Sequence, residues 1–163
     1  MIVMKFGGTS VESAEAIERI AGIVRERIAR RPIVVVSAMG KTTNKLLAIA
    51  GAAIAGRRDT ALDLLNELHK FHRNESAGLG VEDEIDAHFQ ELTELVKGIA
   101  VMGEMTPRAT DAVSAFGERL SSNIVTARFR SLGIDAAHLD SRSVIVTDRR
   151  HTQAAPNFMT IMG

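Results

Sequence analysis

Cysteine is absent from the 163 residues. Disulfide frameworks, thiolate zinc sites and thiol nucleophiles are excluded with it. Trp and Tyr are absent as well, which removes the usual stacking platforms for single-stranded nucleic acid. An excess of one charge sign is also missing: 20 Lys and Arg face 20 Asp and Glu, for a formal net charge of zero. Nucleic-acid-binding domains carry a basic excess, so nucleic acid is not an expected partner. No apolar stretch approaches the ~20 residues of a membrane span. The opening run Ile2-Val3-Met4 is too short for a signal peptide and soon meets Gly7-Gly8. These absences lead to the expectation of a soluble, cytoplasmic protein with no membrane partner. What remains is ordinary for a globular domain: 45% apolar and 25% charged residues, in a length that suits one domain with its own core. There is no internal repeat and no low-complexity segment.

Local patterns predict an α/β chain. Ile2 to Phe6 is a short run of strand formers ended by Gly7-Gly8. Thr9-Ser10 offers a helix N-cap. Ile17, Ile20, Ala21, Val24 and Ile28 then recur at helical spacing, with Glu12, Glu15 and Glu18 early and Arg25, Arg27, Arg30 and Arg31 late. That charge order suits the helix macrodipole. Pro32 is expected to stop this helix. Ile33 to Val36 is continuously apolar, as in a strand covered on both faces. Strand, helix and strand make a βαβ unit with parallel strands. Helices are expected over Asn44 to about Ala55, Thr60 to about Ser76, Val81 to about Met102 and Arg108 to about Leu132, with Thr106-Pro107 as the cap-plus-proline start of the last. Ala136 to Leu139 and Val144 to Thr147 read as short strands, and the tail from Asp148 to Gly163 has no clear period. Residues from about 44 to 105 are helix upon helix, an excursion inserted between sheet strands.

Three segments carry chemistry. In Lys5-Phe6-Gly7-Gly8-Thr9-Ser10, a glycine pair between strand and helix lets backbone approach a ligand. Its N–H groups and the helix dipole favour an anion, and Lys5 can neutralise a phosphoryl group. The bland alternative is a tight turn with a solvated lysine. Ser37-Ala38-Met39-Gly40-Lys41-Thr42-Thr43-Asn44 also follows a strand and opens a helix. Two such loops at neighbouring parallel strands face the same sheet edge, where open α/β sheets bind ligands. A P-loop is excluded here, because the glycine required five residues before Gly40 is Val35. A polar turn capped by Thr43 is the alternative. The third segment is Phe116-Gly117-Glu118-Arg119-Leu120-Ser121-Ser122. A mid-helix glycine costs about 1 kcal/mol against alanine, so a close approach of backbone or ligand should compensate. Glu118 and Arg119 could meet an ammonium group and a carboxylate; plain helix packing beside surface charges is the other reading. His69 with His72, and Glu84 with His88, each have the spacing of half a metal site, with no third ligand placed. His138 and His151 stand alone, and Met159 and Met162 suit packing.

Together these segments resemble the aspartokinases, within the amino acid kinase family. The resemblance rests on Val3-Met4-Lys5-Phe6-Gly7-Gly8-Thr9-Ser10-Val11, on Val36 to Asn44, on Gly117-Glu118-Arg119-Leu120-Ser121, and on the later Asp140-Ser141-Arg142 and Val146-Thr147-Asp148. Order and spacing agree across nearly the whole chain. The resemblance implies a carbamate-kinase-like three-layer α/β/α sandwich with a mainly parallel sheet. It implies transfer of the γ-phosphoryl group of Mg2+-ATP to the β-carboxylate of L-aspartate, the entry to lysine, threonine and methionine synthesis. Lys5 would stabilise the transferring group, with Gly7, Gly8, Thr9 and Ser37 around the phosphates. Thr43 and Glu118 would hold aspartate, Glu118 facing its α-ammonium. No dedicated protein site for Mg2+ is identified. The family's adenine site, a second phosphate lysine, an arginine for the aspartate carboxylate and the regulatory ACT domains find no counterpart in residues 1–163. The expectation is therefore an N-terminal lobe, inactive alone, with an exposed sheet edge that favours homo-oligomers. Two other readings stand beside it: a non-catalytic amino-acid-binding or regulatory module, and a family member acting on glutamate or carbamate. The loop at Thr43-Asn44 and the Gly117–Ser121 segment favour aspartate over the last.

Overall fold

The computed structural model describes residues 1–140. Two strands, β1 (Ile2–Phe6) and β2 (Pro32–Val36), pair in parallel, with Ile2 opposite Pro32 and Phe6 opposite Val36. Helix α1 (Ala14–Arg25) joins them. Then follow α2 (Thr42–Ile54), α3 (Arg58–Glu75), α4 (Glu82–Met102) and α5 (Pro107–Ser131). The expected βαβ unit, parallel pairing and run of helices are all present. The expected strand at Val144 to Thr147, together with Ser141, Arg142, Asp148, His151, Met159 and Met162, lies outside the described residues.

Several boundaries differ from the sequence expectation for physical reasons. Thr9-Ser10 does not cap α1. Ser10 N–H donates to Gly7 O at 3.0 Å, and Gly8–Val11 forms a tight 3-10 turn that buries Val11. The α1 cap is Ser13, whose side chain accepts from Ala16 N–H at 3.1 Å. The carboxylate of Glu75, from the end of α3, accepts from Ala14 N–H at 2.7 Å, an anion at a helix N-terminus. Nor does Pro32 end α1. The helix stops at Arg25, a 3-10 turn covers Ile28–Arg30, Arg31 takes a left-handed φ of 53°, and Pro32 opens β2. Proline is well placed as the first residue of a strand and disfavours a helical residue before it.

The strands bury one face. Met4, Phe6, Val34 and Val36 pack against the core, whereas Val3, Ile33 and Val35 are 68%, 46% and 43% exposed. A continuous apolar run specifies strand but not coverage, so the expectation of two covered faces is not met among the described residues. Ala136 to Leu139 forms no strand there either. Arg130 Nε donates to Ala136 O at 2.7 Å, so a side chain occupies a position a ladder partner would use.

The core sits where α2, α3, α4 and α5 converge, around Leu46, Leu68, Phe89, Leu92 and Leu120. One titratable side chain is buried in it. His72 of α3 is fully inaccessible and lies edge-on to Phe71 and tilted over Phe89. Its Nδ1–H donates to Leu68 O at 2.9 Å, and Nε2 finds no partner among the described residues. Charging this ring would cost desolvation that its one hydrogen bond only partly offsets. Burial, aided by the nearby Lys45 and His69, lowers its pKa from 6.5 to about 4, against an opposing contribution from the Leu68 bond. The unfolded chain therefore takes up a proton that the fold refuses. Full stability is present above pH 6.5 and is lost as pH falls toward 4. The loss expected from this group is about 3 kcal/mol. Urea unfolding between pH 7 and 4 should show that slope, and His72→Leu should flatten it; an unchanged slope would remove His72 as its source.

Candidate active site

Both strands end in loops at the same edge, and these loops lock onto each other. Ser37 N–H donates to Phe6 O and Gly40 N–H donates to Gly8 O, each at 3.0 Å. A Cβ on Gly8 would lie 2.9 Å from Gly40 O and 3.1 Å from Ala38 O. Backbone oxygens cannot step aside cheaply, so glycine is required at position 8. Its missing side chain is used by the neighbouring loop. Gly7 is different: a Cβ there meets nothing within 4 Å, which leaves its exposed backbone open to a ligand.

The mid-helix glycine of α5 finds its compensation in the same loop. A Cβ on Gly117 would fall 2.6 Å from the Cβ of Ala38, with Leu46 and Thr42 at 3.5 and 3.6 Å. One turn on, the buried Ser121 hydroxyl donates to Ser37 O at 2.7 Å. Residues four apart share a helix face, so Gly117 and Ser121 together dock α5 on the loop after β2. The three segments singled out in the sequence thus meet at one edge of the sheet.

The residues with expected ligand roles are distributed around this junction. Ser37 has both backbone groups committed, its N–H to Phe6 and its carbonyl to Ser121, which leaves the hydroxyl for a ligand. Thr43 is half-buried in the first turn of α2, while its neighbour Thr42 is fully buried against the position of Gly117. Glu118 and Thr9 are exposed. Lys5 is exposed and lies opposite Val35, on the sheet face away from the helices. The loops and Gly117 are in direct contact; Glu118 follows Gly117 on α5, and Lys5 precedes the Gly7-Gly8 loop by two residues on β1.

Of the two readings open for Arg119, a ligand carboxylate or packing within the chain, the structure shows the second. The Arg119 side chain is 11% exposed, and its guanidinium ion-pairs with Glu91 of α4 at 2.8 Å. It also lies 4.3 Å over the Phe116 ring. The carboxylate it meets belongs to the chain itself. The histidine pairs are likewise engaged in structure: His69 Nε2 lies 2.6 Å from Asp86, His72 is buried, and His88 bonds to Arg119 and Asn123. His138 Nε2 bonds to Ser122 at 2.9 Å. Among the described residues, no three His, Asp or Glu gather as metal ligands. Among the described residues, no helix is long and apolar enough to cross a membrane. Glu118, Arg119, Ser122, Asn123 and His88 line a cavity of about 700 Å³ beside β2. Sequence reasoning singled out His88 only as half a metal pair with Glu84 and did not place it on this cavity, because which helices pack against each other is not a local signal.

The profile of the amino acid kinase family matches residues 1–162. The chain belongs to the amino acid kinase family. Within that family its similarity is to aspartokinases. It is 38% identical over 151 residues to aspartokinase 2 of Arabidopsis thaliana chloroplasts, covering 90% of this chain and 28% of that protein. Aspartokinase 3 of the same plant is 38% identical over 157 residues, again across 28% of its length. The fold superposes on E. coli aspartokinase III in complex with lysine and aspartate (TM-score 0.86, 27% identity), covering 99% of this chain and 36% of that one. On the same enzyme with aspartate and ADP the TM-score is 0.84. The chain thus spans less than a third of the curated relatives it matches. Its α/β fold with a parallel strand pair and flanking helices is that of this family.

The docking contact makes a sharp prediction. Alanine normally stabilises a helix interior over glycine by about 0.5–1 kcal/mol, and Gly98→Ala in α4, where a Cβ meets nothing within 4 Å, should do so. Gly117→Ala should instead destabilise by about 1–3 kcal/mol as α5 is pushed off its loop. Thermal unfolding of both variants checks this; a stabilised Gly117→Ala would remove the close contact.

Proposed function

We propose that this chain is the aspartate- and phosphate-binding lobe of an aspartate kinase, a carbamate-kinase-like three-layer α/β/α domain in which residues 1–163 form the N-terminal lobe and residues 44–105 its helical insertion. The observation that carries the reading is the convergence of the Gly7-Gly8 loop, the Ser37–Gly40 loop and Gly117 at one sheet edge. Family membership and the likeness to aspartokinases support it. In this reading the nucleotide-binding lobe and ACT domains are separate from residues 1–163, and turnover requires them.

The chemistry suits these residues. The acceptor is the β-carboxylate of L-aspartate, already a competent nucleophile, so no general base is needed. Catalysis reduces to positioning and charge stabilisation. The difficulty is bringing two anions together. Lys5, the open backbone at Gly7, Thr9 and the Ser37 hydroxyl would face the phosphates, while Mg2+ arrives with ATP as part of the substrate. Thr43 and Glu118 would hold the acceptor, with the Glu118 carboxylate against its α-ammonium. Charge-assisted pairs of that kind orient as well as bind.

Calorimetric titration of this chain with L-aspartate, using D-aspartate as control, tests the acceptor half. Saturable binding of the L form alone is expected, and Glu118→Gln should weaken it by roughly tenfold or more. Binding that ignores handedness, or survives Glu118→Gln, would overturn the assignment. For the phosphoryl half, Lys5→Ala in a full-length active enzyme carrying this lobe should cut turnover by roughly 100-fold or more. Near-normal turnover would remove Lys5 from that role.

A further inference from the structure

The turn of α5 that carries Glu118 is held from two sides. Gly117 and Ser121, four apart, face the loop after β2. Arg119 and Asn123, also four apart, face α4. Arg119 Nη2 reaches Glu91 at 2.8 Å and His88 Nδ1 at 3.2 Å, and the Asn123 amide lies 2.7 Å from His88 Nε2. Phe116, three residues before Arg119, floors the guanidinium at 4.3 Å. A third stripe, Glu118 and Ser122, lies between these two and stays accessible from the cavity.

The polarity of this clamp is fixed by donor counting. A guanidinium only donates, so His88 Nδ1 accepts from it. The planar fork of arginine can serve Glu91 and His88 from one group while its carbon sits over the Phe116 ring. A lysine ammonium can make one of these contacts but not the set.

We propose that Arg119 is a positioning residue for the neighbouring Glu118, transmitting the placement of the α4 insertion into the site through Glu91 and His88. Gly117 and Ser121 fix how closely α5 lies on the loop, and the Arg119 and Asn123 contacts hold the helix from the opposite side, so its rotation about its own axis is set by the two together. Glu118, on the stripe between, inherits that rotation. The ligand part of this inference rests on the reading of Glu118 as the contact for the aspartate ammonium; the clamp itself does not.

The test uses this chain with Arg119→Leu, Arg119→Lys, Glu91→Gln and the Arg119→Leu/Glu91→Gln pair, with Ile85→Val as a control that loosens α4 without touching the clamp. Two quantities are read: L-aspartate affinity, and amide hydrogen exchange along α5. Arg119→Leu should weaken L-aspartate by roughly tenfold and speed exchange selectively at residues 117–121. The pair should be no worse than Arg119→Leu alone, because both break one contact. Arg119→Lys should recover part of the affinity by keeping the Glu91 ion pair. Ile85→Val should lower the melting temperature and leave affinity in place. Wild-type affinity in Arg119→Leu, while Glu118→Gln loses it, would overturn the positioning role. Should the unaltered chain bind no aspartate, the substrate reading fails, and the clamp is then judged by exchange alone. Selective acceleration at 117–121 sustains it, and acceleration no greater than in Ile85→Val overturns it.

Discussion

The site depends on one missing methyl group. Gly117 lets the backbone of α5 lie against Ala38, where any side chain would collide with the loop that follows β2. That loop is in turn fastened to the loop after β1 by Ser37 to Phe6 and Gly40 to Gly8. Two strand ends and one long helix therefore share a single close-packed junction. The Ser121 hydroxyl seals it by satisfying Ser37 O, a carbonyl that packing would otherwise leave buried and costly. Gly8 and Ser37 lie within this junction, and Glu118 follows Gly117 on α5.

Much of this was legible in the sequence, and the residues explain why. Short apolar runs bounded by glycine marked both strands, and apolar spacing marked all five α-helices, because burial of one face imposes a period. The cost of a glycine inside a helix flagged position 117, but Gly98, equally interior to α4, meets nothing, so which glycine marks a close contact emerges only from the fold. Other features were not local. The start of α1 depends on how Gly7 O is used: the sequence pointed to Thr9-Ser10 as the cap, and Ser13 makes it. The apolar run of β2 could not reveal that Ile33 and Val35 stay exposed among the described residues. The partner of Arg119 lies 28 residues away on another helix. Periodicity reports that a face is buried and is silent about which element buries it.

Charge in this molecule is deployed locally. The chain is neutral overall, yet Glu75 sits on the first amide of α1 and Arg119 is closed over by Glu91. Asp86 receives both His69 and Arg73. These pairs tie helices together where exposure is partial. The exposed Lys5 and Glu118 are not among these pairs. His72 is the contrasting case, a polar ring kept neutral because the core around it offers one acceptor and no counter-charge.

The Glu75 contact with Ala14 spans 61 residues, and the Ser121 contact with Ser37 spans 84. The entropy of closing a loop grows only with the logarithm of its length, roughly 0.6 kcal/mol for each doubling. Chain length inside the helical excursion is therefore thermodynamically cheap, whereas the spacing between its two feet is not. The turns at Gly56 and at Gly78 to Gly80 can gain or lose residues at small cost, provided α2 still leaves the Gly40 loop and α5 still returns to it. The fold thus separates a segment free to drift in length from a junction that is not, and the boundary between them falls at Thr42 and Gly117.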